Sequence, residues 1–315
     1  MVGMSRKKQS PSKRISIAGD HKSVKIVIAV LTICAASAIT VVKLRPSEAS
    51  VPDSPSGQLE FDYNPSGTSL NHADWNTFLT SNSAGGLPWN GNGRGGSSAA
   101  NTPDYDAEYD LPGQVSQRDG KIILRATKTP TEGVLNGESI VYPFASGVLS
   151  TYGKFEFTGG YVQIRAKMPK ASGMWPGFWM LPGPGGRNGD DYEIDLFEGG
   201  ADNGGPGTSW RDMFAWHLHT PSGVFGNDTN SKVNLTAGFN TYGLQWIPGT
   251  SITWFLNGKV IGSLTSAQTT IPDEPMELIV TLQVATPAAS YWHTTYSASV
   301  PVNNELLVSS VKVYA

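Results

Sequence analysis

Beyond residue 45 the chain alternates short apolar runs with clusters of Gly, Asn, Asp, Ser and Pro, and long stretches of 3.6-residue periodicity are scarce. Short apolar runs bounded by turn residues predict strands rather than helices. The pattern places strands at 121–126, 154–157, 161–167, 192–198, 213–219, 241–246, 251–256, 278–284 and 306–314. Asn257-Gly258, between two apolar runs, predicts a tight hairpin turn. No repeat of fixed period is visible. The 315 residues suit one large all-β domain, a sandwich or barrel, or two small ones.

The N-terminal end has a different pattern. Residues 1–45 carry nine Lys or Arg and one acid, Asp20, and 26–42 is an uncharged apolar run of seventeen. A positive flank followed by an apolar run predicts export. Seventeen residues is the short limit for a span of ~17–25. Ala36-Ser37-Ala38 and Ser47-Glu48-Ala49 offer small-residue cleavage sites. Two alternatives stay open: a cleaved signal peptide, or an uncleaved signal anchor that holds the protein at the cell surface. Residues 1–45 are therefore read as a cytoplasmic basic stretch plus signal peptide or anchor. Residues 46–57, rich in Pro, Ser and acids, read as a linker, and 58–315 as the globular domain.

Charge and cysteine narrow the partners. After residue 45 there are 14 basic and 25 acidic residues, a net of −11. That balance argues against nucleic acid and strongly anionic polymers and favours a neutral partner. No cysteine follows Cys34, so the domain forms no internal disulfide and relies on its core.

The strongest chemical signal is Glu193-Ile194-Asp195-Leu196-Phe197-Glu198. Clustered carboxylates in an apolar setting lose solvation and repel one another, so they imply a use. On a strand Glu193 and Asp195 share a face, while Glu198 falls on the other. One extra residue at Leu196-Phe197, a β-bulge, returns Glu198 to their face, and that bulge is expected here. The outer two acids then suit a nucleophile and a proton donor, with Asp195 tuning the nucleophile. Four ladder steps at ~3.3 Å each separate them by about 13 Å at Cα. A retaining glycosidase brings its carboxyl groups to roughly 5–5.5 Å, so the side chains must lean together.

This hexapeptide resembles the E-x-D-x-x-E signature of glycoside hydrolase family 16 in its bulged form. The resemblance extends to Gly147-Val148-Leu149-Ser150-Thr151-Tyr152-Gly153-Lys154-Phe155, to Gly160-Tyr161-Val162-Gln163-Ile164-Arg165-Ala166-Lys167-Met168-Pro169, and to Gly173-Met174-Trp175-Pro176-Gly177-Phe178-Trp179-Met180-Leu181. Phe239-Asn240-Thr241-Tyr242-Gly243-Leu244-Gln245-Trp246 and Ile252-Thr253-Trp254-Phe255-Leu256-Asn257-Gly258-Lys259 are similar to its later hairpin. It implies a two-sheet β-jelly-roll sandwich like legume lectins, with a concave catalytic cleft. It also implies retaining, endo-acting hydrolysis of a β-glycosidic bond: Glu193 as nucleophile, Glu198 as acid/base and Asp195 assisting. The bulged form is closer to the laminarinase, agarase and carrageenase branches. Thr281-Leu282-Gln283-Val284-Ala285-Thr286 and Ser309 depart from the usual family residues.

All nine tryptophans follow the linker, and flat rings with a polar edge match the apolar faces of sugars. Trp175 and Trp179 resemble the family's cleft tryptophans. Trp175, beside Pro176 and Gly173, is expected to be exposed; Trp179 fits cleft or core. Asn92 and Arg94, in a Gly/Asn loop, are read as a cleft rim that donates to hydroxyls. Trp292 is read as an exposed ring over a glycan, and Trp246 and Trp254 as core. His217 and His219 flank Leu218 and share a face; His219 is chosen as the residue near the sugar. No metal is assigned: acids interleaved with Ile, Leu and Phe belong to a strand rather than a calcium loop, and His-x-His lacks a third ligand. No cofactor is required, although the resemblance allows a structural calcium elsewhere.

The sequence thus predicts an exported, monomeric endo-β-glucanase acting on a polysaccharide, β-1,3-glucan or mixed β-1,3/1,4-glucan. It binds no nucleic acid and meets the membrane only through its N-terminal segment. The alternatives are a transglycosylase on a cell-surface polysaccharide and a non-catalytic, lectin-like glycan binder.

Overall fold

The computed structural model describes residues 57–89, 105–135, 138–202 and 207–315. The N-terminal basic stretch, the apolar run, the linker, Asn92 and Arg94 lie outside the described residues. Among the described residues, no helix is long and apolar enough to cross a membrane.

The described strands, in chain order, are β1 (Leu59–Tyr63), β2 (Glu108–Asp110), β3 (Val115–Arg118), β4 (Lys121–Thr127), β5 (Thr131–Leu135), β6 (Glu138–Tyr142), β7 (Phe144–Ser146), β8 (Val148–Ser150) and β9 (Gly160–Lys167). They continue with β10 (Met174–Pro182), β11 (Glu193–Glu198), β12 (Met213–Thr220), β13 (Gly223–Asn230), β14 (Asn240–Ile247), β15 (Ser251–Leu256), β16 (Lys259–Thr265), β17 (Met276–Val284) and β18 (Asn303–Tyr314). One sheet runs β16-β15-β14-β9-β18-β4-β7-β2, with β1 on β18 and β3 on β4. The other runs β13-β12-β11-β10-β17-β8, and β5 with β6 forms a separate hairpin. Chain neighbours are repeatedly separated in the sheets, as in β10-β17-β8, so each sheet is assembled from distant segments. The result is a two-sheet β-jelly roll.

Alternation decides what each sheet buries. On β10, Met174, Phe178 and Met180 enter the core between the sheets, while Trp175, Trp179 and Leu181 face outward and pack in separate clusters. The core is joined by aromatic contacts: Phe197 lies 4.4 Å from Tyr242, 4.9 Å from Phe214 and 5.9 Å from Phe178. Such pairs contribute about 0.5–1.5 kcal/mol each beyond area burial. Trp246 and Trp254 are in this core, as expected.

The described strand β17 is buried along its whole length. Its even-numbered residues face the other sheet. Its odd-numbered Ile279 is covered by Leu79, Ala84 and Trp89 from the segment between β1 and β2, together with Trp179 and Leu181. That segment therefore roofs one end of the outer face, and the partly exposed Glu193, Glu198, His217 and His219 of β11 and β12 lie outside that roof.

Most expected strands are present within a residue or two. Asn257 and Gly258 both take positive φ (49° and 80°) in the β15–β16 turn, the conformation a tight hairpin needs. The expected strand at 154–157 is not there. Gly153 adopts φ 68°, the Lys154 and Phe155 amides bond back to the Thr151 carbonyl, and only Phe157 makes an isolated bridge, to Met276. A turn closed by local hydrogen bonds displaces the strand that the Phe-Glu-Phe alternation suggests.

Candidate active site

The outer face of the six-stranded sheet carries the acidic row. Against β10, Trp179 pairs with Asp195 and Phe178 with Phe197; against β12, Asp195 pairs with His217 and Glu198 with Ala215. Three steps on β11 thus oppose two on β12. This is the expected bulge, and Leu196 is the extra residue. Ile194, Leu196 and Phe197 all point into the core and are fully buried. Their burial drives the extra residue inward and returns Glu198 to the face of Glu193 and Asp195.

Hydrogen bonds hold each acid. Trp175 donates its indole Nε1–H to Glu198 Oε1 at 3.1 Å, and His217 Nδ1 lies 2.7 Å from Glu198 Oε2. His219 Nε2 lies 3.0 Å from Asp195 Oδ2 and 3.9 Å from Glu193 Oε1. Asp195 is buried between the two glutamates. An Asp195 oxygen lies within 4.8 Å of carboxylate and imidazole atoms of Glu193 and His219, and likewise of Glu198 and His217. From the facing sheet, Trp254 Nε1 donates to the Asp195 backbone carbonyl at 2.8 Å.

The row has asymmetric electrostatics. Burial, followed by the negative charge of Asp195, pushes the Glu193 carboxyl well above the usual carboxylate range; the charge of His219 only partly offsets this. Burial would lower His219, but its hydrogen bond to Asp195 and the charges of Asp195, Glu193 and Glu198 outweigh it and push it up to about 10. His217 is also raised: burial opposes the shift, and contacts with Glu198, Asp195 and Asp228 overcome it. At neutral pH His219 is a cation set into an anionic row.

Two groups, Glu193/Asp195/His219 and Asp195/Glu198/His217, place three ligand-type atoms near one another. In each, a histidine nitrogen already lies within hydrogen-bond reach of a carboxylate oxygen. The donor set is therefore satisfied without a cation. Among the described residues, no other group brings together three or more His, Cys, Asp or Glu side chains in this way.

Trp175 differs from its expected exposure. It is 8% exposed and is walled in by Trp292, edge-on at 4.9 Å, and by His293 at 5.2 Å. The cause is a loop that the sequence does not reveal: His293 Nε2 lies 2.8 Å from the Gly199 carbonyl, and Thr294 N donates to Gly200, zipping 292–294 onto the turn after β11. Trp292 is accordingly half-buried against Trp175 rather than freely exposed. Trp179 belongs to the buried cluster under Trp89, with Nε1 on Thr281 Oγ1 at 3.3 Å. Of the expected residues, the structure thus brings Glu193, Asp195, Glu198, Trp175, His219 and Trp292 together and sets Trp179 into the adjoining roof.

Sequence reasoning passed over His217, although its two-residue offset from His219 puts it on the same face. Asp228 gave no signal, because β13 reads Gly-Val-Phe-Gly-Asn-Asp-Thr-Asn, a composition of turns rather than strands.

Known proteins resemble this chain in sequence and in fold. A 31% identical relative, the endo-1,3-1,4-beta-glycanase ExsH of Rhizobium meliloti, aligns over 163 residues, 51% of this chain and 32% of its own. The endo-1,3-1,4-beta-glycanase EglC of the same organism is 28% identical over 174 residues, with the same coverage. The chain thus spans about a third of the length of these relatives. The fold matches the catalytic domain of an endo-1,3-beta-glucanase (laminarinase) from Thermotoga petrophila with a TM-score of 0.63. The identity there is 20%, covering 83% of this chain and 99% of that one. The model of glycosyl hydrolases family 16 matches residues 102–300, a span that holds the bulged acidic strand, both its neighbours and the Trp292 loop, and the chain belongs to that family.

Proposed function

We propose that this protein is a retaining, endo-acting glycosidase that cleaves internal β-bonds of a glucan. The observation that carries the reading is the bulged row, in which two glutamates flank a buried aspartate and have different partners. Glu193 faces Asp195 and His219, and Glu198 is held by Trp175 and His217. Glu193 attacks the anomeric carbon while Glu198 protonates the departing oxygen. Glu198 then takes a proton from the water that releases the sugar from Glu193. A nucleophile must be ionised, whereas burial and Asp195 favour a neutral Glu193. Asp195, hydrogen-bonded to His219, is the neighbour placed to take that proton, and cationic His219 stabilises the charge that Glu193 then carries.

The glucan assignment, β-1,3 or mixed β-1,3/1,4, rests on the acidic domain and on the endo-1,3-1,4-beta-glycanase names of the relatives. Export follows from the N-terminal pattern. The strands from Leu59 to Tyr314 support a catalytic domain over 58–315.

The test is product analysis with the purified full chain on laminarin, lichenan, agarose, κ-carrageenan and xyloglucan, beside Glu193→Gln. Short oligosaccharides from laminarin or lichenan, first released as the β-anomer and absent with the variant, are the expected result. Longer products would mean transfer to a sugar hydroxyl. Binding without any product would leave a lectin.

A further inference from the structure

The proton donor has a partner that the two-glutamate mechanism does not use. His217, on β12, sits between Glu198 and Asp228. Its Nδ1 is 2.7 Å from Glu198 Oε2, and its Nε2 is 3.9 Å from Asp228 Oδ1 on the neighbouring strand β13. Asp228 Oδ1 is buried and makes no hydrogen bond. Such an atom is costly to leave unpaired, and the group that it faces is the imidazole. Glu198 Oε1 is already occupied by the Trp175 indole, which can only donate. One proton must therefore lie between Oε2 and Nδ1, because two lone pairs at 2.7 Å would repel.

We propose that Asp228 and His217 are positioning residues of the proton donor: Asp228 fixes His217 as the Nε2–H tautomer, and Nδ1 then shares with Glu198 Oε2 the proton that the glycosidic oxygen receives. This rests on the reading of Glu198 as acid/base. In the first step the shared proton moves to the leaving oxygen as its bond to the anomeric carbon breaks and the Glu193 carboxylate bonds that carbon. Glu198 is left as a carboxylate facing the Nδ1 lone pair of neutral His217. That juxtaposition makes Glu198 a stronger base. In the second step it takes a proton from water, the water oxygen bonds the anomeric carbon, and Glu193 leaves as a carboxylate. One proton leaves the pair and one returns. The logic is that of a carboxylate selecting a histidine tautomer.

The charged groups facing His217 are Glu198 and Asp195 on β11, Asp228 on β13 and, on its own strand, His219, whose ring is 6.2 Å away. The three acids outweigh burial, so the His217 imidazole keeps a proton to a higher pH than a free imidazole would.

The test compares wild type, His217→Ala, His217→Asn and Asp228→Asn in the full chain. Two substrates are used: the polymer, and a dinitrophenyl β-glycoside whose leaving group needs no protonation. The expected result is that His217→Ala lowers kcat on the polymer about tenfold to a hundredfold, within the 10²–10⁴ that acid–base catalysis contributes. KM is little changed, and the alkaline limb of kcat/KM moves to lower pH. The rate of the pre-steady-state burst of dinitrophenol, which reports attack by Glu193 alone, stays near wild type, which also shows that the variant is folded. His217→Asn, which restores a polar neighbour but no exchangeable ring proton, is not rescued. Equal losses on both substrates, or an unmoved pH limb, would overturn the proposal. Imidazole ¹⁵N spectra give a readout independent of turnover: His217 should be Nε2–H in wild type and shift towards Nδ1–H in Asp228→Asn. An unchanged tautomer would sink the proposal even if the enzyme is active. A wild type that cleaves no substrate but shows the tautomer shift would sink the glycosidase reading instead.

Discussion

Trp254 Nε1 donates to the backbone carbonyl of Asp195 at 2.8 Å, from one sheet to the other across the core. The carbonyl lies beside the bulge at Leu196, where the ladder to both neighbouring strands shifts register. A bulge disrupts the ladder, and a buried carbonyl without a donor is expensive. The indole supplies a donor there, so a core residue more than fifty positions away in the chain fixes the backbone from which Asp195 and Glu198 project.

Trp254→Phe keeps an aromatic ring but removes the donor. The expected cost is about 1–3 kcal/mol of stability, read by denaturant unfolding, because the carbonyl is left buried. kcat should fall while KM changes little, since the row loses alignment rather than sugar contacts. Wild-type kcat in a destabilised variant would show that the bulge holds without Trp254.

Glu198→Ala removes the acid/base and leaves Glu193. Hydrolysis of the polymer should drop by about 10²–10⁴. With a dinitrophenyl glycoside and added azide, turnover should return, with the glycosyl azide formed in the β-configuration. An α-azide product, or no rescue, would contradict Glu193 as a nucleophile on the opposite face of the sugar.

His219 predicts a pH dependence of stability with a definite sign. Its folded pKa, about 10, lies above the ordinary value of 6.5. The folded state binds its proton more tightly, so the stabilisation is full below about pH 6.5 and is lost as pH rises towards 10. The side chain is 40% exposed, so solvent screening reduces the size of the effect. In a Tm-versus-pH series, His219→Gln should decline less than wild type over this window. Parallel curves would mean that His219 is not held as a cation.

Glu277 behaves in the opposite chemical sense but with the same slope. It is buried on β17, accepts from Ser150 Oγ at 2.6 Å, and leaves Oε1 without a partner. Burial pushes its carboxyl up to about 8. The folded state holds a proton that the unfolded chain releases near pH 4, so stability falls with rising pH up to about 8, by at most ~1.4 kcal/mol per unit. Glu277→Gln, a neutral match in shape, should remove most of that slope in urea unfolding measured from pH 5 to 8. A slope equal to wild type would place the titration elsewhere.

What could be read from the chain was whatever depends on neighbours in sequence. Alternation gave the strand positions 161–167, 213–219 and 251–256 nearly to the residue. The odd spacing of Glu193, Asp195 and Glu198 required a bulge, because three apolar residues had to reach one core. Trp246 and Trp254 were legible as core from their apolar strands. Reading failed where local polarity misled: the turn at 154–157 carries a strand-like alternation, and β13 carries a turn-like composition although pairing with β12 makes it a strand.

By itself the sequence determined the fold class, the face on which the acids lie and the residue types available for chemistry, because these follow from side-chain alternation along one strand. Only the tertiary structure decided which groups meet those acids. Trp175 became a buried donor to Glu198 because the 292–294 loop folds over it, His217 and Asp228 became partners because β12 lies between β11 and β13, and Trp254 reached Asp195 because two sheets stack. Those contacts depend on packing between segments far apart in the chain, and no local pattern encodes packing.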